Sequence, residues 1–392
     1  TRFERMYKVW DYLRKNTDRR HPTSIAKMRK DENINAYIGD KETINRLLKD
    51  MANIMNLEDG GSDYKPEAEW RLYFDDFKKF YGDKERYERD DSDEDDSYIA
   101  NVMRIKNLYY NRTFSEKEVD SIIEGIMATR TLDSKSAQEL VRKVEDNMTT
   151  VFYKRTPRHI CKVQEPELAD RELLKDNLAI IQKAIDDNVR IQFRFNGYSY
   201  EKKLEPVREE SDELSPYYIV ASGGKYYLLA AKEYEGYKPN MSIWRIDLMT
   251  DIEIPGRNDR LHIKGIPRIP KKNVSNLPEK WSEDFQLKHL NMSFDKPVPV
   301  TLRIKSEKCE GNPKKRVRPG YTFLHDWFGD SFTYIRTEKE PPYDDIVRVE
   351  CSPYGMAHWA LQYSELVEVL EPESLREDIK NKIKALNEKY SL

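Results

Sequence analysis

Arginines and tyrosines recur in one stretch of the sequence whose pattern predicts a β-sheet. Guanidinium groups donate paired hydrogen bonds to phosphate, and aromatic rings offer faces on which bases stack. Together these residue types could bind a phosphorylated ligand. The candidate ligand-binding residues are Tyr218, Tyr227, Arg245, Arg190, Arg194 and Tyr198. Two simpler interpretations stay open: the tyrosines cover a half-buried sheet, and Arg190 and Arg194 pair with surface carboxylates.

The elements that must position these side chains are strands. Val189–Phe195 alternates strictly between apolar and polar residues, Asn196-Gly197 predicts a turn, and Tyr198–Val207 predicts the next strand. Two runs rich in aromatic and aliphatic residues follow, separated by a segment with paired glycines that suits a tight hairpin. A third run completes an antiparallel meander. These runs are Tyr217–Ala221, Tyr226–Lys232 and Ser242–Ile246.

The meander resembles the WYL domain, which is named for a Trp-Tyr-Leu run in its second strand. Tyr226-Tyr227-Leu228 stands in place of that run, and Trp244-Arg245-Ile246-Asp247-Leu248-Met249 resembles a later family run. The resemblance implies a small SH3-like or Sm-like barrel that senses a ligand, usually in bacterial transcription factors. It also implies that Tyr218, Tyr227 and Arg245 contact a nucleotide or single-stranded nucleic acid. The second arginine of the family run is replaced here by Leu248.

The N-terminal region predicts three short helices of helix-turn-helix type. Phe3–Lys15 has helical spacing, Pro22-Thr23-Ser24 opens a second helix, and Asp40 is an N-cap for a third over Lys41–Met55. Arg and Asn suit base edges, while Lys and Thr suit phosphates. The candidate DNA-binding residues on the outer face of the third helix are Lys41, Thr43, Asn45, Arg46 and Lys49. The alternative is an ordinary solvated helix face.

The resemblance to WYL regulators implies that this helix-turn-helix is winged. Trp70–Phe80 and Val102–Tyr110 are then the candidate wing strands. The strongly acidic run Asp83–Asp96 lies between them and is most simply a solvated insertion. An alternative is that it mimics DNA and shields the recognition helix.

Two further segments resemble parts of WYL regulators. A helical pair follows the N-terminal domain: Ser115 and Glu118 predict a capping box, and Ser134 or Ser136 begins the second helix. Its apolar stripe either joins two subunits or packs only on its own chain. Trp359–Tyr363 and Val369–Arg376 resemble the C-terminal extension of the family. The basic run Lys314-Lys315-Arg316-x-Arg318 in this region either completes the ligand site or is a solvated loop.

The predicted fold class is therefore α+β and multidomain. It comprises a winged helix-turn-helix, a helical linker, an SH3/Sm-like small β-barrel and an α+β C-terminal extension. The predicted domains are 1–110 for DNA binding with the acidic insertion, 111–168 for the linker and dimerisation, 169–256 for the WYL domain, 257–296 for a connector and 297–392 for the extension.

The sequence argues against several classes of function. It contains none of the phosphate-binding, nucleophile-elbow or zinc-protease motifs, so we predict no enzyme and no catalytic residue. The three cysteines are widely spaced, and His159 with Cys161 is a pair without a third partner, so we predict neither a metal nor a cofactor. No apolar run approaches membrane-spanning length, which predicts a cytoplasmic protein without a membrane partner. The net charge of −3 requires charge segregation for DNA binding.

The sequence thus predicts a ligand-responsive transcriptional regulator. Its N-terminal domain would bind double-stranded DNA as a homodimer, and its WYL domain would sense a nucleotide or a nucleic-acid ligand. The alternative is an accessory nucleic-acid sensor of a phage-defence or DNA-repair system, without operator-specific regulation. A palindromic or direct-repeat site upstream of the gene is required only by the first hypothesis.

Overall fold

The structure is a computed structural model in which the chain forms two compact units, Thr1–Glu167 and Leu168–Leu392. It describes residues 1–58, 65–75, 105–129, 132–155, 171–305, 308–309, 312–316 and 320–390. The acidic run Asp83–Asp96, the pair His159 and Cys161, and the side chains of the basic run after Asn312 lie outside what is described.

The first unit begins with four helices. They are α1 (Arg2–Asn16), α2 (Ile25–Met28), α3 (Asn35–Ile38) and α4 (Lys41–Asn56). The single second helix expected from the sequence is wrong, because two short helices, α2 and α3, occupy that region. Asp31 lies between them, and its carboxylate accepts hydrogen bonds from the Asn33 amide (3.0 Å) and the Tyr12 hydroxyl (2.8 Å). Such side-chain bonds compete with helical backbone bonds and separate the two helices.

Helix α4 begins as predicted, because the Asp40 carboxylate accepts a hydrogen bond of 2.7 Å from the Thr43 amide. Its inner face packs into the core of the unit through Ile44, Leu47, Leu48 and Met51. Ile54 was expected on the same face but is 70% exposed. The buried stripe continues instead to Ala52 and Asn56, as the period of 3.6 residues requires.

A two-stranded ribbon follows α4 in the part of the chain where wing strands were predicted. Strand β1 (Leu72–Tyr73) pairs antiparallel with β2 (Tyr109–Tyr110). The buried Asn56 at the end of α4 fixes β1: its Nδ2 donates to the Leu72 carbonyl at 2.8 Å, and its Oδ1 accepts from the Arg71 amide at 2.8 Å. The end of α4 and the ribbon are therefore held as one piece.

The predicted helical pair is α5 (Glu116–Ala128) and α6 (Ser134–Met148). Ser115 and Glu118 form the predicted capping box of α5. Helix α6 begins at Ser134, which is one of the two expected starts, and Asp133 is its N-cap. The apolar stripes of the two helices pack on each other through Val119, Ile123, Val141 and Val144.

The second unit opens with a helix and a curled six-stranded sheet. These elements are α7 (Arg171–Asp187), β3 (Ile191–Tyr198), β4 (Leu204–Pro206), β5 (Asp212–Ser222), β6 (Lys225–Ala231), β7 (Met241–Arg245) and β8 (Met249–Glu253). The strand order is β4-β3-β5-β6-β7, and β8 pairs with β3. The predicted β5–β6 hairpin is confirmed, with Gly223 (φ 56°) and Gly224 (φ 75°) in the left-handed region between paired Ser222 and Lys225.

The turn expected at Asn196-Gly197 is wrong, because both residues continue β3. The Asn196 amide is buried, and its Nδ2 lies 3.0 Å from the Leu248 carbonyl oxygen and 3.0 Å from Thr250 Oγ1. These bonds hold the asparagine in an extended strand, which overrides its local preference for a turn. The chain turns instead at 199–203, where Lys202 has φ 64°.

The sheet is covered on both faces. One face packs against α7 through a core that includes Ile181, Phe193, Leu228 and Ile246. The other face carries Val220, Leu229 and Met241 and is covered by Phe285 and Met292. These two residues belong to the segment predicted as a connector, whose helix α8 spans Phe285–Lys288. The connector is therefore part of the domain's core.

The extension contains the strands β9 (Val298–Ile304), β10 (Lys308–Cys309), β11 (Asn312–Arg316), β12 (Thr333–Thr337), β13 (Asp345–Cys351) and β14 (Val367–Glu371). Its helices are α9 (Thr322–Phe328), α10 (Pro353–Gln362) and α11 (Glu373–Tyr390). The main sheet has the order β12-β13-β9-β14, and Trp359 of α10 is fully buried against it. Leu290 of the connector joins this core as well.

The predicted α+β class is confirmed at this level. The finer designations, a winged helix and an SH3/Sm-like barrel, stay predictions. Within the described ranges, no helix combines the length and the apolar character needed to cross a bilayer.

Candidate functional site

Two of the six predicted ligand-binding residues are neighbours on the sheet, and a third lies within electrostatic range of them. Tyr227 and Arg245 are direct cross-strand partners in β6 and β7, so their side chains share a face. Tyr198 at the end of β3 interacts electrostatically with the same guanidinium group. A half-buried arginine beside one tyrosine, with a second tyrosine in electrostatic range, has the composition expected of a phosphate and base site.

The charge of Arg245 is already balanced by a residue that we did not predict. The guanidinium group donates from Nε to Oδ1 of Asp247 at 3.1 Å and from Nη2 to Oδ2 at 2.5 Å. Burial opposes the charge of Arg245, but the bonds to Asp247 outweigh this effect and raise its pKa. Asp247 itself is buried. The spacing Arg-x-Asp in Trp244–Leu248 was the available signal for this pair.

Tyr218 is engaged by the connector. Its hydroxyl lies 3.0 Å from the carbonyl oxygens of Pro278 and Glu279 and accepts a hydrogen bond of 2.8 Å from Lys271 Nζ. The Lys271 ammonium also lies 4.1 Å from the centroid of the tyrosine ring. The structure therefore does not bring Tyr218 together with Arg245 as part of one open site.

The two arginines chosen from the alternation of β3 form ion pairs. Arg190 contacts Glu213 at 2.9 Å and Glu233 at 2.8 Å. Arg194 is exposed and lies 3.7 Å from Asp251. Pairing with carboxylates was the alternative interpretation of these residues, and it describes their contacts in this structure.

The candidate DNA-binding face of α4 requires one correction. Asn45 was expected on the outer face, but it is fully buried. Positions 45, 48 and 52 lie on one stripe of a helix, so Asn45 lies beside Leu48 and Ala52 in the core. Its amide cannot reach a base edge from there.

The other candidates lie towards solvent to different extents. Lys41 and Arg46 are exposed, while Thr43 and Lys49 are half-buried. The Thr43 hydroxyl donates to Asp40 at 3.0 Å, and Arg46 contacts Glu42 at 2.9 Å across one helical turn. An exposed pair of this kind stabilises a helix by only about 0.3–0.5 kcal/mol, so a phosphate or a base can displace Glu42 at little cost.

Sequence reasoning missed an aromatic cavity beside β7. It has a volume of about 800 Å³, and its lining includes Phe195, Tyr234, Tyr237, Trp244 and Phe294. The available signal was Tyr234-Glu235-Gly236-Tyr237, in which two aromatic residues flank a glycine in a loop. Among the described residues, no group of three or more His, Cys, Asp or Glu side chains is arranged to hold a metal ion.

Comparison with known proteins identifies the C-terminal part of the chain. Residues 296–386 match the profile of the WCX domain, which is the WYL-associated C-terminal extension. The chain therefore carries this extension, and its recognition as a relative of WYL-domain regulators is confirmed. Comparison with curated proteins gives no match.

Two of the matching solved structures are distant. One is the proteasome accessory factor B/C (PafBC) of Arthrobacter aurescens, with 15% identity and a TM-score of 0.23 over 89% of this chain. The chain spans 55% of the length of that protein. The other is a CRISPR Cas-related protein, with 12% identity and a TM-score of 0.28 over 100% of this chain and 92% of the other. Scores this low do not establish a shared arrangement of the whole chains.

Proposed function

We propose that the protein is a DNA-binding transcriptional regulator whose WYL domain senses a nucleotide or a nucleic-acid ligand. The observation that carries the proposal is the construction of α4. One face of this helix is fixed in the core, Asp40 caps its start, and Asn56 ties its end to the β1–β2 ribbon. Arg46 is exposed on the opposite side, and Lys41 is exposed in the first turn. The WCX match supports the regulatory class of the proposal.

A rigid helix with exposed cations beside a short ribbon suits docking into a major groove. Arg46 would bind a guanine edge or a phosphate after exchange of its contact with Glu42, and Lys41 would bind phosphate. The regulator would bind duplex DNA as a homodimer, because two half-sites one helical turn apart match a protein with two-fold symmetry. It would act in the cytoplasm. The proposal assigns no catalytic step to the chain.

The ligand site of this proposal is the cluster of Tyr227, Arg245 and Tyr198. An anion would compete with Asp247 for the guanidinium group, and the base would stack on a tyrosine ring. Ligand binding would change the dimer geometry and thus the spacing of the two recognition helices.

A salt series of binding to the DNA upstream of its own gene tests the DNA-binding part. We expect specific duplex binding that weakens with salt by a log–log slope of about 0.9 per phosphate contacted. Arg46→Ala should abolish specific binding, whereas Arg142→Ala on the exposed side of α6 should not, since α6 lies outside the proposed interface. A folded Arg46→Ala protein that binds the duplex like the wild type would contradict the proposal.

The alternative is an accessory nucleic-acid sensor of a defence or repair system. The burial of Asn45 and the contacts of Thr43 and Arg46 within α4 favour it, since they reduce the number of side chains ready to contact bases. Preference for a single strand over every duplex in the same salt series would select this alternative.

A further inference from the structure

The cavity beside β7 is built by a tight turn that holds two tyrosines towards solvent. The Tyr237 amide donates to the Tyr234 carbonyl at 3.1 Å, and Gly236 between them has φ 79°. The third position of such a turn needs a positive φ, and glycine adopts this conformation without steric cost. Tyr234 is 57% exposed and Tyr237 is 78% exposed. Clustered exposed aromatic rings on a folded domain mark a binding surface more often than scattered ones do.

The wall opposite the tyrosines comes from the sheet. Trp244 and Phe195 line it, with ring centroids 5.0 Å apart in an edge-to-face arrangement, and Phe294 from the end of the connector is 53% exposed beside them. The cavity of about 800 Å³ lies within the size range of small-molecule sites. Its walls are mainly rings and aliphatic chains, so they favour a planar apolar body.

The charged side chains that lie against the rings of the cavity do not cancel. Asp212 is fully buried, and two cations share its carboxylate: Lys232 Nζ lies 2.7 Å from Oδ1 and Arg208 Nη2 lies 3.2 Å from Oδ2. The same two cations also lie over aromatic rings of the cavity, Lys232 at 5.4 Å from Tyr234 and Arg208 at 5.9 Å from Trp244. One carboxylate and two cations leave one net positive charge at the aromatic wall.

Two charges at the rim offset each other. Lys238 and Glu235 both line the cavity and both are exposed. The excess of one positive charge therefore persists when the rim is included. It matches a ligand with a single negative charge better than a neutral ligand, a cation or a doubly charged phosphate ester.

The cavity is distinct from the cluster predicted from the sequence. Among the described residues that line it, neither Tyr227 nor Arg245 is present. Trp244 contributes to the core under α7, whereas Tyr227 lies on the opposite face of the sheet with Val220 and Leu229. The lining of the cavity thus excludes the Tyr227–Arg245 pair, although Met241 and Ile243 of the Tyr227 face also line it.

We propose that this aromatic cavity binds a small planar aromatic acid with one negative charge. The ring body lies between the tyrosines of the turn and the Trp244 wall, and the carboxylate lies near Lys232 and Arg208. The inference adds a second ligand site with its own ligand class. It depends neither on duplex binding by α4 nor on nucleotide binding at Arg245, so it can fail or succeed separately from them.

Calorimetry on the full chain with three probes tests the charge preference. The probes are 2-naphthoate, which is an aromatic monoanion, 2-naphthylmethylammonium, which has the opposite charge, and AMP. We expect 2-naphthoate to bind at least about tenfold more tightly than the cation, a ratio that equals about 1.4 kcal/mol. The absence of 2-naphthoate binding, or equal affinity for the cation, would overturn the proposal.

Variants then locate the bound probe. Tyr234→Ala and Tyr237→Ala should each weaken 2-naphthoate binding by about 2- to 12-fold through loss of one aromatic contact. Lys238→Gln should weaken the binding of 2-naphthoate and strengthen the binding of 2-naphthylmethylammonium. The matched controls are Tyr200→Ala, at a tyrosine that is 94% exposed in the 199–203 turn, and Lys272→Gln, at an exposed lysine in the connector. Both should bind like the wild type.

Two outcomes separate the proposal from its neighbours. If the tyrosine variants of the turn bind 2-naphthoate like the wild type, the cavity is not its site and the proposal is wrong. If AMP binds more tightly than 2-naphthoate and the same variants weaken it, the cavity is a nucleotide site and the assignment to an aromatic acid is wrong. AMP binding that depends on Arg245 alone would support nucleotide sensing at that site. The 2-naphthoate measurements would then still decide whether the cavity binds an aromatic acid.

Discussion

Arg245 is clamped by Asp247, which lies two residues further along the chain. The guanidinium group meets both carboxylate oxygens, at 3.1 Å and 2.5 Å, and the carboxylate is almost fully buried while the arginine keeps some contact with solvent. The pair therefore does two things at once. It neutralises a charge inside the sheet, and it presents one edge of the arginine beside Tyr227.

Asp247→Asn should lower the free energy of unfolding of the second unit by about 1–3 kcal/mol, because the buried negative charge and one of its two acceptor oxygens are lost. Asp251→Asn is the matched control. Asp251 also faces an arginine, but its side chain is 73% exposed, so the change should stay within about 0.5 kcal/mol. Urea unfolding measures both variants. Equal losses would show that the Arg245–Asp247 pair does not stabilise the sheet.

Asn45→Ala should act on stability rather than on base recognition. The side chain is fully buried in α4, so its removal should lower the free energy of unfolding of the first unit by about 1–3 kcal/mol. Arg46→Ala, one residue further on the exposed side, should change stability by less than about 0.5 kcal/mol. Thermal unfolding compares the two variants. A neutral Asn45→Ala variant with impaired duplex binding would restore a base-reading role for Asn45.

His289 gives the connector a predictable response to acid. Burial lowers its pKa below the usual value of 6.5, although the bond of 2.7 Å between Nδ1 and the Ser293 carbonyl oxygen opposes this effect. The unfolded chain therefore binds a proton before the folded chain does. The stability contribution is complete above pH 6.5 and is lost as the pH falls towards the lowered pKa.

Unfolding free energies at about pH 7.5 and about pH 5.5 check this prediction. The wild type should lose more stability between the two values than His289→Gln does. His325→Gln, at a histidine whose side chain is 63% exposed, should keep the wild-type difference. An identical pH dependence in all three proteins would be inconsistent with a buried neutral His289.

Gly355 lies where the extension packs closely against the connector. A Cβ at this position would lie 2.7 Å from the Leu290 carbonyl oxygen and 2.9 Å from Ser293 Oγ. Gly355→Ala should therefore destabilise the second unit by about 1–3 kcal/mol through overpacking. Gly125→Ala in the last turn of α5 meets nothing within 4 Å and should stabilise the first unit by about 0.5–1 kcal/mol. Urea unfolding measures both variants. Changes of the same sign in their free energies of unfolding would contradict this prediction.

The elements with strong local signals could be predicted from the sequence. Asp40 before α4, the Ser115–Glu118 capping box and the glycine pair between β5 and β6 each satisfy a backbone requirement within a few residues. The bounds expected for the last helix, Glu373 to Tyr390, are those of α11. Such features depend on neighbours in the sequence, so no knowledge of the fold is needed to find them.

Features set by distant contacts could not be predicted. Asn196-Gly197 has the composition of a turn, but bonds to residues more than fifty positions away keep it in a strand. The connector has the composition of a polar linker, but its apolar residues Phe285 and Met292 cover the sheet. The aromatic cavity combines residues from β3, the turn before β7 and the end of the connector, which no local pattern joins.

The position of the connector over Tyr218 has a consequence for any ligand of that face. Lys271 and the carbonyl groups of Pro278 and Glu279 already satisfy the tyrosine hydroxyl, and they are tethered to the same chain. A tethered segment competes at an effective concentration in the millimolar range. The connector therefore acts as an intramolecular competitor. A free ligand reaches Tyr218 only when it binds this face more favourably than the connector does at its effective concentration.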